Sequence, residues 1–232
     1  MNLDRIVLDA ELPGGTLIRF RPFSEGDADM IRDVYQHRHY DLLEIRPGEV
    51  VFDIGAHIGS FALRAAGVVG KDGIVVAVEP ERSNYEILRM NAERTDNIIP
   101  LCMALSDFKG TGRLFLAEGT VAHSLIFRRS ASWDDVQVNT IDGLIEELGI
   151  MPDVVKIDAE GAALKILSRA GSMRCRKIAI AAYHFPAEDI QVASRLRSMG
   201  FATRIVHVRA SVYRSPLAPS VPIVMGEGRG SI

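Results

Sequence analysis

The chain has 232 residues, 47% hydrophobic and 25% charged, and its 27 Lys and Arg against 30 Asp and Glu leave a formal net charge of −3 at pH 7. Those proportions are ordinary for a soluble globular domain with a buried core, and they exclude collagen-like, coiled-coil and wholly disordered chains. They also exclude a polycation that holds nucleic acid by bulk charge alone.

Residues 4–23 read as two short strands around the turn Leu12-Pro13-Gly14-Gly15, followed by a helix over about 26–36. Residues 1–40 thus form a small N-terminal cap. Tyr35 and Tyr40 read as packing residues, and His37 and His39 as surface residues beside the cap helix. The pattern then changes. Residues 49–54 are a short apolar run stopped by glycine, the mark of a strand buried on both faces. A helix over 60–68, a strand over 74–78, a helix over 81–94 and a strand over 98–103 follow. A polar, irregular stretch at 106–133 interrupts the alternation. It resumes with strands at 153–158, 177–182, 201–208 and 221–225 and helices at 162–170 and 188–199. Alternation of this kind builds right-handed βαβ units. The expected fold class is α/β, a Rossmann-like, mostly parallel sheet over residues 41–225 with helices on both faces. The glycine-rich segment 226–232 reads as a mobile tail.

The first residues mix charges and show no apolar signal core, and no run reaches the roughly 18 apolar residues of a membrane span. Cys102 and Cys175 lack CxxC spacing and read as buried free thiols. The expected location is therefore cytoplasmic, without membrane contact. Charge is partitioned unevenly. From Arg169 onward there are ten basic residues against three acidic, leaving 17 against 27 before it. Either the basic part is a solvated face that pairs with the acidic part, or it forms a basic lip for an anionic ligand.

In an open parallel sheet, ligands bind beyond the carboxyl ends of the strands. The run at 49–54 leads into Asp53-Ile54-Gly55-Ala56-His57-Ile58-Gly59. No GxxxxGK[ST] is present, and His57 stands where the dinucleotide fingerprint needs a glycine. Glu79 ends the next strand, 26 residues after Asp53, where a carboxylate can accept two hydrogen bonds from a ribose diol. A D-x-G-x-x-x-G loop with that acid points to S-adenosylmethionine (SAM), with Asp53 near its ammonium or organising the loop.

These stretches carry a resemblance. Residues 51–61, Val78-Glu79-Pro80, Ala104-Leu105-Ser106-Asp107 and Val155-Lys156-Ile157-Asp158-Ala159-Glu160-Gly161 resemble the FkbM-type SAM-dependent methyltransferases, over about residues 27–201. The resemblance implies a seven-stranded sheet and methyl transfer to oxygen, commonly a hydroxyl of a sugar or natural product. It implies that Asp53, Gly55, His57 and Gly59 line the methionine end of the cofactor and Glu79 its ribose. Ala104, Ser106 and Asp107 would flank the adenine, and Asp158 and Glu160 would stand beside the methyl group. Where the family often carries Glu-Gly-x-Glu and Glu-x-His, this chain has Ala163 and Ala182-Tyr183-His184.

Methyl transfer from a sulfonium depends mainly on alignment, and a nearby base helps an alcohol shed its proton. The candidate catalytic residues are Asp158, Glu160 and His184, with His184 or Asp158 taking the proton and Glu160 orienting the acceptor. No metal is expected. His123 and Ser124 fall in the irregular stretch, where the family places a substrate-side loop, and Trp133 reads as the marker of an acceptor-covering lid. The expected partner is a small-molecule hydroxyl acceptor, with the N-terminal cap as a place for a homodimer contact. Nucleic acid is disfavoured, since neither an Asp/Asn-Pro-Pro-aromatic loop nor a Pro-Cys nucleophile is present. Two other readings stand beside this one: an RNA ribose methyltransferase, and a SAM-binding partner protein without catalytic activity.

Overall fold

The structure, a computed structural model, describes residues 6–117, 120–128, 131–209, 211 and 220–228. The chain opens with the hairpin β1 (Leu8–Leu12) and β2 (Thr16–Phe20) and the helix α1 (Glu25–Tyr35). Alternation follows through β3 (Val50–Ile54), α2 (Ser60–Val69), β4 (Ile74–Val78), α3 (Arg82–Ala92) and β5 (Ile98–Leu101). The stretch that reads as irregular holds β7 (Gly110–Phe115); β6 (Ala104–Leu105) lies just before it, β8 (Trp133–Asn139) begins at its last residue, and α4 (Ile141–Leu148) follows. The remainder comprises β9 (Val154–Ile157), α5 (Ala163–Ser168), β10 (Lys177–Ala181), α6 (Glu188–Ser198), β11 (Ala202–Val208) and β12 (Val221–Glu227).

Seven strands form the central sheet in the order β11-β12-β10-β9-β3-β4-β5. The pairs β10–β9, β9–β3, β3–β4 and β4–β5 are parallel, and β12 runs antiparallel to both β10 and β11. The expected seven-stranded, mostly parallel architecture is the observed one. Alternate residues leave opposite faces of each strand. Phe52 and Ile54 of β3 pack with α4, α5 and α6, whereas Val51 packs with α1, α2 and α3. Both faces are thereby covered, which is why the strands read as unbroken apolar runs.

The cap lies over α2 and α3. Asn91 on α3 accepts the Arg19 N–H at 2.7 Å and donates to the Arg19 and Ile58 carbonyls. Arg21 forms a buried pair with Asp27 at 2.7 Å and donates to Asn84 on α3. These four side chains are paired with one another or with backbone across the seam, as burial requires.

Several expectations change. His39 is buried at 7% exposure, because its Nε2 donates to the Arg209 carbonyl and Asp33 lies 3.7 Å away. Cys175 is half-buried and Cys102 exposed, so the thiols are free but not both interior. Trp133 begins β8, exposed, with Arg113 stacked on its ring, and does not line the cleft described below. β12 continues to Glu227, two residues into the expected tail; residues 229–232 lie outside the described residues. No described helix is long and apolar enough to cross a membrane.

Candidate active site

Strand order reverses between β3 and β9, the place where an open α/β sheet binds its ligand. A cleft of about 200 Å³ opens there. Its floor is Gly55 and His57 after β3, Glu79 after β4, Ala104 in β6, and Asp158 and Glu160 after β9. Tyr183 and His184 after β10 close one side, and the segment 120–125 closes another.

The loop after β3 is fixed by close approach. Gly55 has φ +78°, and a Cβ built on it would stand 1.9 Å from the Asp158 carbonyl oxygen. Only glycine permits both that angle and that contact. Asp53 does not reach the cleft; it is fully buried and paired with Lys156 Nζ at 2.9 Å. The same ammonium donates to the Gly55 carbonyl at 2.7 Å. Of the two roles open to Asp53, the geometry favours organising the loop. Burial pushes its carboxyl above the ordinary range, and the Lys156 charge offsets only part of that.

Glu79 is the acid of the cleft floor between β3 and β4. Its Oε2 accepts the His57 N–H and its Oε1 the Glu81 N–H, each at 2.9 Å. Burial pushes the carboxyl up to about 7 against those two donors. Asn84 also donates toward this carboxylate, and of its about four acceptor sites one or more remains for a ribose hydroxyl. His57 sits at φ +53°, with Nε2 donating to the Thr120 carbonyl at 3.0 Å. Burial drives the imidazole down to about 4, against the pull of Asp27, so it is neutral. Asn84 donates to the same Thr120 carbonyl and Ser24 shares a hydrogen bond with the Thr120 hydroxyl, which pins the segment over the cleft.

Four of the eight expected cofactor residues line the cleft: Gly55, His57, Glu79 and Ala104. The other four do not. Asp53 is committed to Lys156, and Gly59 caps α2 with its α-carbon against Leu88. Ser106 is buried and donates to Asp107, which faces Lys165 at 3.6 Å. The cleft wall beside them is instead the apolar run Met103, Ala104 and Leu105.

The three expected catalytic residues meet. His184 Nε2 lies 3.7 Å from Glu160 Oε2 and 4.0 Å from Asp158 Oδ1. Its side chain is 2% exposed, and Nε2 has no hydrogen-bond partner. Burial would lower this histidine, but its hydrogen bond to Glu188 and the charges of Glu160 and Asp158 raise it above its ordinary value. Glu160 reaches the cleft from a left-handed backbone at φ +45°. Two further residues join the site that the sequence did not place there, Tyr40, which reads as packing, and Glu188. Tyr40 donates to Asp158 Oδ2 at 3.0 Å, and Glu188 accepts from the His184 ring at 3.0 Å. Ser124 is buried and binds the Glu160 carbonyl at 2.8 Å, so the segment 120–128 also packs on the second motif.

Among the described residues two trios are spaced closely enough to share a cation, Asp158-Glu160-His184 and Asp33-His37-His39. In the second, Asp33 binds the ring of His37 and the N–H of Ser211, and His39 is engaged by the Arg209 carbonyl. In the first, His184 Nε2 has no hydrogen-bond partner and faces the two carboxylates. The described basic residues from Arg169 onward do not line the cleft. Arg176 and Lys177 pair with Glu49 and Glu44, which favours the solvated, ion-paired reading over a basic lip. Arg214 and Arg229 lie outside the described residues.

A seven-stranded sheet with its one reversed strand next to the edge, a glycine turn after β3 and an acid ending β4 define the class of SAM-dependent methyltransferases. Residues 53–205 match the Methyltransferase FkbM domain, and the chain belongs to that family, whose cofactor is S-adenosylmethionine. Over 115 residues it is 35% identical to 31-O-demethyl-FK506 methyltransferase FkbM of Streptomyces tacrolimicus, covering 47% of this chain and 42% of that protein. Methyltransferase FkbM of Methylobacillus flagellatus KT superposes with a TM-score of 0.53 at 19% identity, covering 84% of this chain and 52% of that one. Aeropyrum pernix fibrillarin, solved with natively bound S-adenosyl-L-methionine, superposes with a TM-score of 0.55 at 14% identity, covering 97% and 96%. At those identities the structural likeness is one of fold. The chain spans less than half the length of the curated relatives it matches.

Proposed function

We propose that this chain is an O-methyltransferase that methylates a hydroxyl of a small molecule, using the Asp158-Glu160-His184 group as its acceptor site. The observation that carries this reading is the His184 imidazole, buried, with an unpartnered Nε2 turned toward two carboxylates at one end of the cofactor cleft. S-adenosylmethionine, when bound, supplies an electrophilic methyl on a sulfonium. Glu79 holds the ribose, the Gly55 turn gives the methionine end close access to backbone, and Met103 to Leu105 face the base. The acceptor oxygen is placed by Asp158 and Glu160, since positioning at about 3 Å supplies most of the acceleration. His184 Nε2 takes the hydroxyl proton as the oxygen–carbon bond forms, and the two carboxylates steady the imidazolium.

The described lining contains three carboxylates and no lysine or arginine. That charge suits a neutral acceptor and not a phosphate-bearing one. It argues against RNA, which needs cationic contacts to its backbone.

The test incubates the protein with methyl-labelled SAM and fractionated lysate of its source organism, then identifies the labelled species by mass spectrometry. Label on a hydroxyl of a small molecule, unaffected by EDTA, is the expected result. Label in bulk tRNA or rRNA would establish the RNA reading instead. Activity lost in EDTA and restored by Mg²⁺ or Mn²⁺ would make the first trio a metal site. S-adenosylhomocysteine binding with no transfer to any fraction would favour a partner protein without activity.

A further inference from the structure

Glu188 is fully buried at the first turn of α6, four residues after His184. A helix N-terminus accommodates a negative charge, but normally one that water also reaches. Here the carboxylate turns inward. Its Oε2 accepts the backbone N–H of His184 at 2.7 Å and faces the ring Nδ1 at 3.0 Å. The residue before it, Ala187, adopts φ +61°, a left-handed conformation that side chains rarely take, and α6 begins without a side-chain cap. The backbone is thus strained where it directs Glu188 toward the histidine. Ala182, on the other side of His184, has no polar side chain to offer.

An oxygen that already accepts a main-chain N–H is an acceptor toward the ring as well. Nδ1 then carries the hydrogen, and in the neutral imidazole the lone pair lies on Nε2. That is the atom turned toward Asp158 and Glu160. We propose that Glu188 is a positioning residue that fixes the His184 tautomer, so that Nε2 is the atom that receives the acceptor's proton. The proposal rests on the hydroxyl-methyltransferase reading of the site. The other groups facing the imidazole are Asp158 and Glu160 after β9, with Tyr40 bonded to Asp158, and Tyr183, whose ring stacks on His184 at 4.5 Å. Glu188 is the one of these carboxylates within hydrogen-bond distance of the ring.

The experiment uses the full chain labelled with ¹⁵N and ¹³C in histidine, His184 being assigned from the spectrum of His184→Asn. Above its midpoint the wild-type ring is expected to be the Nδ1–H tautomer; the Nε2–H tautomer would overturn the proposal without any variant. In Glu188→Gln the His184 midpoint is expected to move to lower pH, and the acid limb of kcat/KM to move with it. Turnover is expected to fall about a hundredfold with KM for SAM unchanged. In a His184→Ala background Glu188→Gln is expected to cost nothing more, because the two act through one group. An unmoved midpoint, or an equal loss in the His184→Ala background, would reduce Glu188 to a packing role. Tautomer and midpoint are read without acceptor, so they can fail while hydroxyl methylation stands. If no hydroxyl is ever methylated, the functional reading fails on its own measurement.

Discussion

Asp53 and Lys156 are register partners on the neighbouring parallel strands β3 and β9, and their side chains meet as a buried ion pair at 2.9 Å. The pair joins the two motifs of the site. Lys156 also holds the Gly55 carbonyl, so one ammonium fixes both the strand end and the turn that faces the ligand. Removing one partner strands a buried charge, which costs about 3–5 kcal/mol. Lys156→Met is expected to lose that much stability in urea unfolding. The double change Lys156→Met with Asp53→Asn is expected to recover much of it, and an additive loss would show that the pair is not coupled.

Gly55 is the tightest contact in the site. An alanine there meets the Asp158 carbonyl and must hold φ +78°, so the strand ends have to part or the turn must unwind. Gly55→Ala is expected to cost about 2–5 kcal/mol and to abolish S-adenosylhomocysteine binding by calorimetry. Gly67, in α2 with open space around its α-carbon, is the matched control. Gly67→Ala is expected to stabilise by about 0.5–1 kcal/mol and leave binding intact.

The same physics decides what was legible in the sequence. Strands covered on both faces carry nothing but apolar residues, so β3, β4, β9 and β10 were readable within a residue or two of their ends. β7 and β8 were not, because Leu114, Val138 and Asn139 are their only buried residues and Trp133, Asp134, Asp135 and Gln137 are exposed. Asp158, Glu160 and His184 could be grouped because each follows a strand end of one sheet. Asp53 and Asp107 look equally suited to a ligand, but a lysine on the next strand claims one and Lys165 the other. Tyr40, His39 and Glu188 depend on partners that sequence spacing does not single out. Tyr40 reaches across 118 residues to Asp158 and His39 across 170 to Arg209, while Glu188 resembles any acid in a first helical turn.

Glu79 titrates near neutrality because it is buried, and a ribose diol donates to its ionised form. Ligand binding therefore competes with protonation below about pH 7. S-adenosylhomocysteine affinity is expected to weaken about tenfold between pH 8 and pH 6, following that value. In Glu79→Gln the affinity is expected to be lower and flat over that range. A wild-type affinity independent of pH would remove the ribose contact from Glu79.

His57 gives the opposite dependence in folding stability. Its folded value of about 4 lies below the ordinary 6.5, so between those two pH values the unfolded chain takes up a proton that the folded chain refuses. The stabilisation is present above pH 6.5 and is lost as pH falls through about 4, a change of about 3 kcal/mol over the window. Glu79, raised from 4.5 to about 7, works the other way in an overlapping window, gaining stability as pH falls. The net acid slope of the wild type is thus a poor measure of either group, and the difference between variants is the useful one. Asparagine tolerates φ +53°, does not titrate, and can offer an N–H toward Thr120. His57→Asn is expected to be less stable than wild type at pH 8 and to close that gap by about 3 kcal/mol at pH 4, measured by urea unfolding at each pH. A gap that stays constant would mean that the His57 ring takes up its proton as readily in the folded chain as in the unfolded one, so that burial does not hold it neutral.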